Sequence, residues 1–304
     1  MSSIFYRLLV RATKLLGPWF FVLVAKGIAT GFFLFNIRRR AVGRDFYSAL
    51  YPNRPGWYHQ YCTWRQFLNF TYLYLDRFIQ REVRDLDFTI QGRHHIEDLR
   101  ERNRGAILLM SHMGNWEVAA HLLPKVIPGL RLLLYMGIRE REKIERLQKQ
   151  CIRQDGIRIV GMEKQGGSPF EIVEGIRFLQ EGGFVSMAGD VVWRKDQRTI
   201  QGTFLGRQVR IPQAPFVLAL VSGAPLIAFF AFRTDGGAYH FQALPPLRIA
   251  APIRRDREAA LQAAAAQYLA HLDSALRCHP FQWYHFDAFL TAPRRGHPRT
   301  PDTP

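Results

Sequence analysis

Apolar residues follow two different rhythms along this chain. Up to about residue 84 they recur at helical spacing. Phe5, Leu8, Leu9, Ala12, Leu15 and Leu16 fall near one face of residues 3–16, with Arg7, Arg11 and Lys14 largely on another. That is the pattern of a basic amphipathic helix lying in a membrane interface. Residues 19–37 then run nineteen long with Lys26 as their only charge, closed by Arg38, Arg39 and Arg40. A spanning helix takes about 20 apolar residues, so spanning and interfacial binding both stay open, with a buried helix pair as the plainer alternative. The arginine triplet favours a cytoplasmic body after it. A cleaved signal peptide is disfavoured, because the basic cluster follows the apolar run. Tyr51-Pro52-Asn53-Arg54-Pro55-Gly56 reads as a turn. Residues 61–84 read as a long helix whose aromatic stripe (Trp64, Phe67, Tyr72, Phe78) is packing.

From Leu86 the rhythm shortens. Apolar runs at Phe88–Gln91, Ala106–Met110, 130–135, 157–160, Phe184–Ala188 and 226–232 predict strands. Amphipathic stretches near 115–126, 140–153, Pro169–Gln180, 212–222 and 257–277 predict the helices between them. Strands alternating with helices predict an α/β fold, a mixed and mostly parallel sheet flanked by helices. The chain therefore divides into an N-terminal membrane-associated helical region (1–84), an α/β domain (85–291) and a Pro- and Arg-rich tail (292–304) that reads as disordered.

Charge sharpens this picture. The formal net charge is +17 over 304 residues, and residues 1–84 carry thirteen Lys/Arg against three Asp/Glu. Such a surface attracts nucleic acid, anionic lipid or acidic proteins. The adjoining apolar run and the absence of a nucleic-acid motif favour an anionic membrane surface. Cys62, Cys151 and Cys278 lie far apart with no CxxC pairing. This disfavours a disulfide framework or structural zinc, and each is expected to be a small buried hydrophobe.

The candidate chemistry begins at Ser111-His112-Met113-Gly114-Asn115-Trp116-Glu117, where a predicted strand ends and a helix begins. Reactive groups gather at such points in α/β sheets. His112 in the loop and Glu117 in the first helical turn allow the imidazole to fold over the helix start, one nitrogen on the carboxylate and the other basic. Gly114 would leave room for a substrate. The competing reading makes Glu117 a dipole-complementing acid and His112 an ordinary loop residue. A metal site from His112, Glu117 and His121 lacks HExxH spacing. A serine nucleophile at Ser111 lacks G-x-S-x-G, and no phosphate-binding glycine loop is present. Asp190 also sits at a predicted strand end, as a candidate for substrate contact or for holding the cleft together. Arg194, Lys195 and Arg198 suit an anionic headgroup or a phosphopantetheine phosphate, or are a solvated basic loop.

Residues 111–117 resemble the HX4(D/E) motif of glycerolipid acyltransferases, in the Gly-Asn-Trp-Glu form of the bacterial late acyltransferases of lipid A biosynthesis. Further landmarks follow in order: Gly92 to Leu99 leading into Gly105-Ala-Ile-Leu-Leu, Gly183 to Asp190, Phe204-Leu-Gly206, and Phe281-Gln-Trp-Tyr284. The similarity covers about 85–291. Met136-Gly-Ile-Arg139 and Val191-Val192-Trp193 depart from the usual pattern and leave the acceptor open. The resemblance implies transfer of a fatty acyl group from acyl-carrier protein or acyl-CoA to a hydroxyl of a membrane lipid, at the bacterial inner membrane, with no metal or organic cofactor. His112 would be the base and Glu117 its orienting acid. Asn115, Gly114, Arg139, Asp190, Arg194 and Gly206 would contact substrate, Asn115 or nearby N–H groups serving the oxyanion. The alternative is a basic, membrane-anchored lipid-binding protein whose dyad is not catalytic.

Overall fold

The computed structural model describes residues 11–13, 15–82, 86–137, 157–162, 169–193, 196–251 and 253–291. Most of 3–16, the expected helix at 140–153, Cys151, Arg139, Arg194 and the tail from 292 lie outside them.

The apolar run does not form one straight element. Helix α1 (Pro18–Phe35) stops at Asn36, whose side chain accepts the Arg39 N–H and so caps α2 (Ile37–Leu50). An asparagine satisfies the orphan donor of a new helix start, and the axis turns by 91° there. Neither described helix alone is long and apolar enough to cross a membrane; the bent pair passes that test only together. Helix α3 (Gly56–Glu82) packs against both, with Phe21 of α1 on Leu75, and Ala29 on Phe67 and Leu68. The other side of α1 leaves Trp19, Leu23, Leu34 and Phe35 exposed.

A seven-stranded sheet forms the body. Its strands are β1 (Phe88–Gln91), β2 (Ala106–Met110), β3 (Leu132–Gly137), β4 (Arg158–Met162), β5 (Phe184–Ala188), β8 (Leu226–Arg233) and β9 (Tyr239–Ala243). They stand in the order β1-β9-β8-β2-β5-β3-β4. Every neighbouring pair is parallel except β8 with β9. The expected mixed, mostly parallel α/β fold is what forms.

Side chains alternate across a strand, and β8 shows it: Leu226, Ala228, Phe230 and Phe232 enter one core while Ile227, Phe229 and Ala231 enter the other. Helices α4 (Arg93–Glu101) and α5 (Trp116–Val126) cover the second face. The first is covered by α6 (Pro169–Gln180), α7 (Ala214–Ser222), α8 (Arg257–Cys278) and α2. Phe46, Tyr47, Leu50 and Cys62 share that core with the sheet, so packing is continuous across residue 84.

Two features escaped the hydropathy pattern. Strand β9 pairs antiparallel with β8. Strands β6 (Thr199–Phe204) and β7 (Arg207–Pro212) form a separate hairpin beneath α8. Its turn residues Leu205 and Gly206 have φ of 51° and 73°, the positive pair of a type I′ turn. These strands are short and polar on one side, so they lack the continuous apolar run of a strand buried on both faces. Cys62 is buried as expected, but Cys278 is exposed at the end of α8.

Candidate active site

Sheet register brings the central pair together. Strands β2 and β5 pair in parallel from Ala106 with Phe184 to Met110 with Ala188, a constant offset of 78 residues. Two steps beyond the last pair, the same offset sets His112 beside Asp190. Asp190 Oδ1 lies 3.0 Å from His112 Nδ1, and Oδ2 accepts the His112 backbone N–H at 2.7 Å. The Trp283 indole N–H also donates to Oδ2, at 3.0 Å.

This geometry decides where the protons are. Asp190 is fully buried, and burial alone pushes its carboxyl pKa up. The His112 imidazole, its hydrogen bond, nearby His285 and the Trp283 N–H outweigh that and bring it down to about 2. An ionised carboxylate only accepts, so Nδ1 of His112 carries the proton and Nε2 is the basic nitrogen. The imidazole side chain is 29 % exposed while Asp190 has no exposure, so the imidazole reaches the surface and the carboxylate does not.

The segment 281–285 holds this pair from the opposite side. Met113 bridges to Trp283, Tyr284 N–H donates to the His112 carbonyl at 2.8 Å, and Gly114 N–H donates to the Gln282 carbonyl at 2.7 Å. Trp283 is fully buried between Phe46 of α2 (4.9 Å), Phe204 of β6 (5.4 Å) and Phe289 (4.9 Å). Gln66 of α3 donates to its carbonyl. The ring of His285 stands edge-on to His112 at 6.2 Å, and Trp193 lies at the same distance on the imidazole. The Asp287 carbonyl, 3.1 Å from His285 Nδ1, can only accept, so Nδ1 carries that ring's proton. Burial pulls the His285 pKa down, with His112 adding to the effect and Asp190 opposing it.

Several expected roles change. The acid on Nδ1 of His112 is Asp190, not Glu117; Glu117 stands half-buried in the first turn of α5. Asn115 is buried and spoken for: its Oδ1 accepts the Val118 N–H as the cap of α5, and its Nδ2 donates to Tyr239. Gly114 has a structural demand of its own. At φ +74° a Cβ there would collide with the Ala231 carbonyl, so glycine is demanded by β8. Gly206 completes the hairpin turn, and its neighbour Phe204 is what reaches the site, through Trp283. Arg139 and Arg194 fall outside the described residues. Trp283 was legible only as part of a landmark, and His285 gave no signal: a histidine after an aromatic run is unremarkable until the fold sets it against another.

The sequence model of the bacterial lipid A biosynthesis acyltransferases matches residues 65–289. The chain belongs to that family. The matched span holds the whole His112–Asp190–Trp283 arrangement and starts inside α3. Among curated relatives, the phosphatidylinositol mannoside acyltransferase of Mycobacterium tuberculosis strain H37Rv is 27% identical over 206 residues. The protein of that name in strain CDC 1551 matches equally. Each match covers 66% of this chain and 60% of the relative, so the chain spans about three fifths of the length of these relatives.

Proposed function

We propose that this protein is an acyltransferase, moving a fatty acyl group from a thioester donor, acyl-carrier protein or acyl-CoA, to a sugar or polyol hydroxyl of a membrane glycolipid. The observation that carries the reading is the buried, ionised Asp190 on Nδ1 of His112. Burying a carboxylate is costly unless it is paired and hydrogen-bonded, and here both of its oxygens serve the imidazole residue. His112 Nε2 takes the acceptor's hydroxyl proton as the oxygen attacks the thioester carbonyl. The tetrahedral intermediate collapses, the C–S bond breaks, and the imidazolium returns its proton to the departing thiolate. Asp190 balances the imidazolium. Glu117 and the N–H groups at the start of α5 other than that of Val118 stand at the positive helix end, where they would order the acceptor and stabilise the oxyanion. No metal or organic cofactor enters this scheme.

The acceptor class rests on the names of the family and its relatives, lipid A and phosphatidylinositol mannoside, both glycolipids. Attachment to the inner membrane, with the body cytoplasmic, is supported by the exposed apolar side of α1 beside the basic Arg38–Arg40 run. The test is purified protein with radiolabelled acyl-carrier protein or acyl-CoA and a bacterial lipid extract. His112→Gln should lower turnover by about 10²–10⁴. Product formation unaffected by that change sinks the mechanism, and no labelled lipid with either donor sinks the activity.

A further inference from the structure

We propose that Asp76 is a positioning residue: it holds the Tyr239 phenolic proton away from the turn that carries His112, so that Asn115 can cap α5. The inference deepens the acyltransferase reading and rests on it for its catalytic consequence only.

Asp76 lies in α3, fully buried, and its Oδ2 takes two donors: Arg233 Nε at 2.7 Å and the Tyr239 hydroxyl at 2.6 Å. The Arg233 guanidinium also sits 4.4 Å from the Tyr72 ring. Asp76 Oδ1 is buried without a partner among the described residues, so the carboxylate is held by one oxygen. Tyr239, buried on β9, accepts from Asn115 Nδ2 at 3.0 Å, and Asn115 Oδ1 accepts the Val118 N–H at 3.3 Å.

Each link dictates the next. An Arg Nε–H only donates, so Oδ2 is an acceptor whatever the protonation of Oδ1. The Tyr239 O–H must then point at Asp76, which leaves its oxygen lone pair to Asn115. The Asn115 amide is thereby forced to present Nδ2 to the phenol and Oδ1 to the helix. Without an acceptor at Asp76, the phenol is free to turn and donate to Asn115 Oδ1. It then competes with Val118 for that oxygen and loosens the first turn of α5, four to six residues from His112. Helix α3, which packs on the apolar α1, is in this way wired to the turn that holds the base.

The test removes the acceptor without stranding a charge. Asp76→Leu with Arg233→Met replaces the buried pair as a unit, which cores tolerate far better than removing one partner. The expected result is Val118 amide exchange and kcat both worse by roughly five-fold or more, the equivalent of one lost helix cap, with KM unchanged. Adding Tyr239→Phe deletes the competing donor and should restore both. Asp76→Asn, whose amide oxygen can still serve Arg233 and Tyr239, should behave like the native protein. A loss compounded by Tyr239→Phe, an unchanged Val118 amide in the double variant, or an Asp76→Asn as impaired as that double variant overturns the proposal. Should the double variant not fold, Tyr239→Phe alone decides: a cap and kcat within about two-fold of native support the proposal, and a loosened cap refutes it. Amide exchange reads the network even if no acyl transfer is found, so failure of the activity and failure of this wiring are separable.

Discussion

Replacing Asp190 by asparagine tests the site through a single proton. Oδ2 receives two fixed donors, the His112 backbone N–H at 2.7 Å and the Trp283 indole N–H at 3.0 Å. The amide oxygen of the new side chain must occupy that position, which sends its NH2 to the place of Oδ1, against His112 Nδ1. An NH2 group only donates, so Nδ1 becomes the acceptor and the imidazole proton moves to Nε2, the atom that should be the base. The site lowers the carboxyl from the usual 3.8 to about 2 despite burial. At about 1.36 kcal/mol per pKa unit this is worth about 2–3 kcal/mol, on the order of 10² in a rate. With the wrong tautomer added, kcat should fall by about 10²–10⁴ while KM changes little. Steady-state acyl transfer measures the first quantity, and nitrogen NMR of labelled imidazole reports the tautomer directly. An Asp190→Asn enzyme within about three-fold of native turnover, or one still protonated at Nδ1, would refute the reasoning, since either removes the carboxylate from the role assigned to it.

Three further outcomes follow from the same geometry. Because the folded Asp190 pKa is depressed, its contribution to stability is present above about pH 4 and lost as pH falls towards about 2. Urea unfolding should show about 2 kcal/mol of acid-sensitive stability, and that slope should vanish in Asp190→Asn. Gly114→Ala puts a Cβ into the Ala231 carbonyl at a φ of +74°; a loss of about 2–4 kcal/mol is expected in thermal or urea unfolding, and a native Tm contradicts it. Exchanging Trp19, Leu23 and Phe35, exposed by 61%, 60% and 86%, for serine should weaken binding to phosphatidylglycerol vesicles at least about ten-fold. The unfolding midpoint should hardly move, and undiminished binding would take α1 out of the membrane contact.

Much of the body was legible in order along the chain. The α/β texture, the strand-to-helix turn at His112 and the strand Phe184–Ala188 followed from local hydropathy, because buried strands must be continuously apolar and loops between them must not be; residues 183–190 stood out through the family resemblance. Asp190 was even marked as a residue at a strand end. Its partner was not legible, since two strands and their connections separate β2 from β5 in sequence while none separates them in the sheet. Glu117 is the natural choice for that role by its nearness in the chain; the carboxylate that reaches Nδ1 is 78 residues away. The structural duties of Asn115 and Gly114 were hidden for a related reason. Their residue types suit a substrate site, and only the fold shows the contacts they make with Val118, Tyr239 and Ala231. The polar hairpin and β9 stayed invisible because one side of each lacks the apolar signal.

By itself, then, the amino-acid order determined which segments become strands and helices, where a base could stand at a strand end, and that the positive charge gathers beside an apolar run. Those are properties of neighbours within a few residues, set by side-chain burial and backbone propensity. Strand order, the pairing of His112 with Asp190, the Trp283 lock and the Asp76–Tyr239–Asn115 chain were decided only by the tertiary structure. Register and packing bring together groups that local energetics cannot connect, and hydrogen-bond direction then fixes which imidazole nitrogen of His112 carries the proton.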